Sequence, residues 1–292
     1  MKPSVFQYHR PESTDEAVEL LGSLGPDAKV LAGGQSLMPL LNLRLAAPES
    51  LIDITAIPEL RETRRGTGTL RLGATTRHQD LERDAEIGAC CPLLPQAAIY
   101  IGHPQIRTRG TLGGSLAHAD PSAELPAVAV ALDADMVVRS VRGDRRIAAA
   151  DFFTFHLSTV LEEDELLVAV EFPVAGPRQG SAFGEVAARF GDFALAGSAA
   201  VLRLGEDGLV AEARIVCFAV AGTPVRLPEA EKLLHRQPVT TELLGEVEAA
   251  VARNLDPSPQ LKASAGYKRR TAAVLARRAV DRAWSEATRR MS

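Results

Sequence analysis

The sequence predicts an α+β fold in two units, and three observations carry that prediction. Up to about residue 173, short apolar strand-like runs alternate with runs of helical periodicity. Beyond that point, two long apolar runs flank a Gly-containing turn, and helical stretches follow, a meander and then helices. Between these textures, "VAGPRQGS" (174–181) has the Gly and Pro content of a linker. The units are therefore drawn as 1–176 and 177–292.

In the first unit, "STDEAVELLGSL" (13–24) predicts a helix over 15–24, with Ser13 or Thr14 as cap, acids in its first turn and Gly25 after its end. "AKVLAG" (28–33) reads as a short buried strand. After "GGQS", the run "LMPLLNLRLA" (37–46) has helical spacing, with Pro39 in its first turn. "SLIDIT" (50–55) and "TLRLGA" (69–74) read as strands. "TTRHQDLERD" (75–84), "LLPQAAIYIG" (93–102) and "SAELPAVAVALDA" (122–134) read as helices. "DMVVRSVRGDRRIAAADF" (135–152) suggests a hairpin turning at Gly143-Asp144, and "ELLVAVEFP" (165–173) an alternating strand that closes the unit. In the second unit, residues 198–222 read as two long strands turning at Asp207-Gly208, followed by helices over roughly 227–235, 240–253 and 264–290.

Composition bounds the function. With 292 residues, 46% of them hydrophobic and 24% charged, the chain can bury a substantial core. A formal charge of −4 with both signs interspersed disfavours a general nucleic-acid binder. Three cysteines, Cys90, Cys91 and Cys217, offer no C-x-x-C pair and too few thiolates for an iron–sulfur cluster, so no metal site is expected on this chain, and buried packing is expected of Cys90-Cys91. The first residues lack a signal-peptide core, and no run approaches the roughly 20 apolar residues that span a bilayer. The expectation is a cytoplasmic chain, reaching the inner membrane face only through a partner. The six histidines are scattered and read as structural or surface residues, except His118, which lies inside a motif.

Two short stretches carry chemistry: "LAGGQS" (31–36) and "GTLGGS" (110–115). Glycine allows positive φ and leaves no Cβ between backbone N–H groups and an approaching anion. The first stretch runs strand, Gly33-Gly34, two polar side chains, helix; Gln35 and Ser36 can add hydrogen bonds, and Ser36 can cap the helix. After the second, Asp120-Pro121 is expected to delay the next helix to about Ser122, while Arg107 and Arg109 stand ready to offset anionic charge. Neither stretch is a G-x-x-x-x-G-K-[ST] loop or a G-x-G-x-x-G fingerprint. Two loops converging on bridged phosphates would suit FAD. On that reading a side chain at Gly34 or Gly114 would occupy the phosphate's place.

Taken whole, "LAGGQSLMPLLNLRLAAPESLIDI" (31–54) and "IGHPQIRTRGTLGGSLAHADPSAELPAVAVALDA" (101–134) resemble the FAD-binding subunit of molybdenum hydroxylases, the group that includes aerobic carbon monoxide dehydrogenase and bacterial xanthine dehydrogenase-like enzymes. The likeness runs from "FQYHRPESTDEAVELL" (6–21) through "GDFA" (191–194) to "YKRRTAAVLARRAVDRA" (267–283). It implies a vanillyl-alcohol-oxidase (PCMH)-type FAD-binding domain of two subdomains, about 1–57 and 58–176, then a C-terminal α+β domain of the carbon monoxide dehydrogenase flavoprotein type.

By position, the resemblance implies a first FAD loop of Ala32, Gly33, Gly34, Gln35 and Ser36, and a second of Thr111, Leu112, Gly113, Gly114 and Ser115. Leu31, Leu37 and Ile101 fall at flanking apolar contacts. Glu124 stands where relatives keep an acid that hydrogen-bonds the cofactor, with His118 and Asp120 on the same stretch. Phe193 falls where the carbon monoxide enzyme has a Tyr near the flavin ring. Leu195 stands where animal xanthine enzymes have a Lys, which weakens any transfer of their NAD chemistry.

The implied role is an FAD-carrying electron-transfer subunit with no catalytic residue of its own. Molybdopterin would sit on a large partner and 2Fe-2S clusters on a small one, in a dimer of heterotrimers. The alternatives are a self-contained flavin oxidase or reductase on the same fold, and a non-enzymatic nucleotide-binding protein. Nine Lys or Arg against two acids over 262–290 read as a solvated helix face or a docking surface for a partner.

Overall fold

In the computed structural model of the chain, residues 2–291 are described. The first elements are strand β1 (Gln7–His9), helix α1 (Thr14–Leu24), β2 (Ala28–Leu31), α2 (Leu37–Asn42) and β3 (Ser50–Asp53). The Ser13 hydroxyl caps α1 by accepting the Glu16 N–H at 3.2 Å. Ala17, Val18 and Leu21 form its apolar stripe, which covers a parallel sheet ordered β1-β3-β2. Pro39 sits in the first turn of α2, where its missing N–H costs nothing.

The next segment begins with the hairpin β4 (Thr63–Arg65) and β5 (Thr69–Gly73). Short helices follow: α3 (His78–Arg83), α4 (Ala85–Cys90), α5 (Leu93–Ala98), α6 (Pro104–Arg107), α7 (Leu112–His118) and α8 (Glu124–Ala131). Then come β6 (Asp135–Ser140), β7 (Gly143–Ala148), α9 (Ala149–Phe152), the small pair β8 (Phe153–Phe155) and β9 (Ser158–Thr159), and β10 (Leu166–Pro173). β10 inserts between β5 and β6, giving an antiparallel sheet ordered β4-β5-β10-β6-β7. Helices cover one face, and α1 with the first sheet covers the other. Leu166 to Val170 are consequently buried without a break, not in the expected alternation.

Two local expectations are corrected, and one helix was not foreseen. The β6–β7 hairpin pairs Ser140 with Gly143, so its turn is Val141-Arg142 and Gly143 already belongs to β7. Helix α4 gave too short an apolar run to be read. Helix α7 starts inside the second glycine stretch, where a delay to Ser122 was expected; Thr111 caps it, its hydroxyl accepting the Gly114 N–H at 3.2 Å.

The remaining chain forms a meander of β11 (Gln179–Ala187), β12 (Ala194–Leu204), β13 (Val210–Phe218) and β14 (Val225–Arg226), followed by α10 (Pro228–Leu234), α11 (Thr241–Asn254) and α12 (Ala265–Arg289). The long strands and the helices fall where the sequence placed them; β11 was not foreseen. One face of this sheet packs under α12, close enough that a side chain on Gly180 would collide with the Ala283 carbonyl. The other face packs on α5 and α8, joining Phe183, Ala199 and Phe218 to the core around Val128. All three cysteines are buried and unpaired, and burial pushes the Cys91 and Cys217 thiols up to about 12. No helix among the described residues is long and apolar enough to cross a membrane.

Candidate functional site

The first glycine loop turns sharply at the end of β2. Gly34 holds φ +72, and the Met38 N–H bonds its carbonyl at 3.0 Å, launching α2. The Gln35 amide folds back to donate to the Gly33 carbonyl at 3.1 Å. These internal bonds leave the N–H groups of Gly33, Gly34, Gln35, Ser36 and Leu37 without a protein acceptor among the described residues. Ser36 makes no side-chain cap bond, contrary to expectation, and its side chain is exposed.

The second loop is built differently. The segment after β5 runs alongside it, so that Leu112 N–H bonds Thr76 O at 2.9 Å and Gly113 N–H bonds Ala74 O at 2.8 Å. Ser115 N–H returns to Thr111 O at 3.0 Å. His78 anchors the turn from behind: its Nε2 donates to Thr111 O at 2.9 Å, while Nδ1 is buried without a partner among the described residues. Burial drives the His78 pKa down to about 4, so the ring is neutral near pH 7. The two loops are therefore not equivalent. The first presents free backbone donors, and the second has its N–H groups tied into the protein.

The loops touch. A side chain on Gly33 would strike the Arg109 carbonyl and lie 2.8 Å from the Gly110 Cα. Beneath this contact opens a cavity of about 680 Å³, of the size that takes a cofactor. Ala32 through Leu37 line one wall, and Thr111, Gly113, Gly114 and Ser115 another. Ile101, His118, Asp120 and Glu124 border it, and the exposed Phe193 stands on its rim with Gly191 and Asp192. Two expected residues lie elsewhere. Leu112 is buried in the helical core, and Leu31 faces a second, smaller cavity of about 480 Å³.

The cationic expectation is also revised. Arg107 is 6% exposed and spent on Glu82 at 2.8 Å and on the carbonyls of Ile101 and Gly102. Arg109 faces the smaller cavity. Among the described residues no arginine lines the main cavity; backbone N–H groups and Lys29 do. Asp120 closes an Asx turn by accepting the Ser122 N–H at 2.8 Å. Glu124, first residue of α8, is 7% exposed; burial raises its pKa to about 7.

Sequence reasoning missed one wall. Thr159 at the end of β9, Leu161 and Glu162 in the run after it, and Leu166 and Leu167 at the start of β10 line the cavity. No motif marks them, because the central position of β10 brings them there. His78 was read with the other scattered histidines as structural or surface, and its place here is structural, behind the second loop.

Residues 4–175 match a family described as FAD binding domain in molybdopterin dehydrogenase, and residues 181–283 match the CO dehydrogenase flavoprotein C-terminal domain. The chain belongs to this FAD-binding family. Among relatives in the family, the carbon monoxide dehydrogenase medium chain of Hydrogenophaga pseudoflava is 39% identical, covering 98% of this chain and 99% of its own. Caffeine dehydrogenase subunit beta of Pseudomonas sp. strain CBB1 is 40% identical over 97% of this chain and 96% of its own. A solved carbon monoxide dehydrogenase from Hydrogenophaga pseudoflava superposes with a TM-score of 0.95 at 40% identity, over 98% of this chain and 99% of that one. The family's cofactor is FAD, and the chain is an oxidoreductase subunit.

Proposed function

We propose that FAD lies in the main cavity with its diphosphate against the first glycine loop, and that the chain is the electron-transfer subunit of a molybdenum hydroxylase. The observation that carries this is the row of N–H groups from Gly33 to Leu37 with no protein acceptor, at the edge of a cavity of about 680 Å³. Ala32 flanks the diphosphate on the first loop, Gly113, Gly114 and Ser115 flank it from the facing wall, and Leu37 and Ile101 give apolar cover. Leu31 and Leu112 act indirectly, by fixing the loops. Glu124, His118 and Asp120 border the far end, and Phe193 shields the rim. When bound, FAD supplies one- and two-electron transfer, which no side chain of this protein can supply. The chain contributes binding, orientation and exclusion of water.

On this reading, electrons arrive from 2Fe-2S clusters on a small partner, substrate is oxidised at molybdopterin on a large partner, and the assembly is a dimer of heterotrimers. Support comes from relatives that carry the name medium chain or subunit, at near full-length coverage. The test is titration of the cofactor-free chain with FAD. After free FAD is removed the chain should stay yellow, and binding should saturate at a single site. Gly33→Ala should lower affinity about tenfold or more, since its Cβ meets backbone that cannot yield. Unchanged affinity in that variant would remove the loop assignment.

A further inference from the structure

The two glycine loops meet by contact alone. No hydrogen bond among the described residues joins residues 31–37 to residues 109–115. At the meeting point the Arg109 carbonyl lies against Gly33, where a Cβ could not fit. That carbonyl is an acceptor beside a row of N–H groups that lack one. Turned toward them, it would compete with a phosphate for the same donors.

Arg77 holds it. The Arg77 guanidinium donates to the Arg109 carbonyl. The side chain starts from a fixed backbone. Arg77 pairs with Thr111 across an antiparallel bridge, and the next N–H, that of His78, bonds Gly110 O at 3.0 Å. The Arg77 N–H is itself held by the Asp80 carboxylate at 3.2 Å. No acid among the described residues pairs with the guanidinium. Asp80 faces Arg61 at 3.7 Å. Asp53, the acid of the smaller cavity, accepts from Thr55 and from the Tyr8 hydroxyl. Half-burying a cation for a single main-chain carbonyl costs desolvation that an ion pair would offset. The position of that carbonyl supplies the reason.

We propose that Arg77 is a positioning residue for FAD. It fixes the Arg109-Gly110 turn against Gly33 and keeps the Arg109 carbonyl in an orientation that captures no N–H of the first loop. Arg77 lines neither cavity, so it acts through Arg109 and not on the cofactor. The inference rests on the FAD reading above.

The test uses the full chain with Arg77→Ala and Arg77→Lys. FAD titration should give a Kd about tenfold higher for Arg77→Ala, the effect of losing one hydrogen bond from a charged donor. Arg77→Lys keeps one donor and should recover part of that loss. Guanidinium ion, added below denaturing concentration, should lower the Kd of Arg77→Ala and leave wild type unchanged. Amide exchange in the cofactor-free chain separates this role from general support of the fold. Arg77→Ala should slow an amide between Gly33 and Leu37, because the released carbonyl accepts it. Loss of support alone would instead speed exchange in both loops, with no rescue by lysine or guanidinium, and would overturn the proposal. An unchanged Kd in Arg77→Ala would overturn it too, while leaving the FAD site standing. If wild type bound no FAD, the proposed function would fall, and the exchange result would still decide whether Arg77 restrains the carbonyl.

Discussion

At His78, one fully buried ring decides how the second glycine loop stands. Its Nε2 holds the Thr111 carbonyl, and Thr111 in turn caps α7 through the Gly114 N–H. The folded ring resists protonation down to about pH 4, well below the ordinary 6.5. The unfolded chain therefore binds this proton first, so stability from neutral His78 is fully present above about pH 6.5 and is lost as pH falls toward 4. The full loss is about 3 kcal/mol. Thermal melts across that window should show a smaller acid destabilisation in His78→Gln than in wild type; equal slopes would remove the assignment. Glu124 and Glu185 act with the opposite sign. Their raised values mean that the folded chain binds the extra protons, so their contribution falls as pH rises from about 4.5 through 7 and 9. None of this was legible locally. His78 sits in no motif, and its partner lies 33 positions away.

At the scale of elements, the two glycine stretches were visible as a pair, but their division of labour was not. Gly-Gly is a poor helix former, so the sequence gives no hint that α7 begins within it. The cap and the facing segment at Ala74 to Thr76 supply what propensity lacks. The glycines also act otherwise than expected. A Cβ on Gly34 points toward Met38 and Leu31, and one on Gly114 lies 2.6 Å from the Thr111 hydroxyl. Larger residues there would strain the loop or the cap rather than fill a phosphate's place, and Gly34 also needs its left-handed backbone. Gly33→Ala is the sharper probe. Gly245 on α11 provides its contrast, because nothing lies within 4 Å of a Cβ there. Gly245→Ala should raise unfolding stability by about 0.5–1 kcal/mol and leave FAD affinity unchanged, as read by denaturant titration. The long helices and the β12–β13 pair were readable because they are long and periodic. The β6–β7 turn was misplaced by two residues because Gly143 drew the prediction onto a strand position.

At the scale of the molecule, the third sheet ties the units together. It packs on α5 and α8, and Asp133 bonds Arg214 at 2.5 Å and Arg226 at 3.6 Å across the junction. The basic C-terminal helix is partly neutralised from within. Arg269 pairs with Asp256, Arg277 with Glu248 and Arg290 with Glu286. Arg278 and Arg282 are exposed and have no ion pair among the described residues. A docking role for this face is therefore better tested there than at Arg277. Arg278→Glu with Arg282→Glu should weaken co-purification of partner subunits while stability stays within about 0.5 kcal/mol. Undiminished co-purification would return the face to a solvated one.

The claim that joins these scales is that the first loop donates its backbone to FAD and the second does not. Backbone hydrogen–deuterium exchange, with and without FAD, reads this directly. The amides of Gly33 to Leu37 should exchange fast in the cofactor-free chain and become protected when FAD binds, while those of Leu112 to Ser115 should be slow in both states. No new protection over Gly33 to Leu37, or protection appearing only in the second loop, would contradict the account.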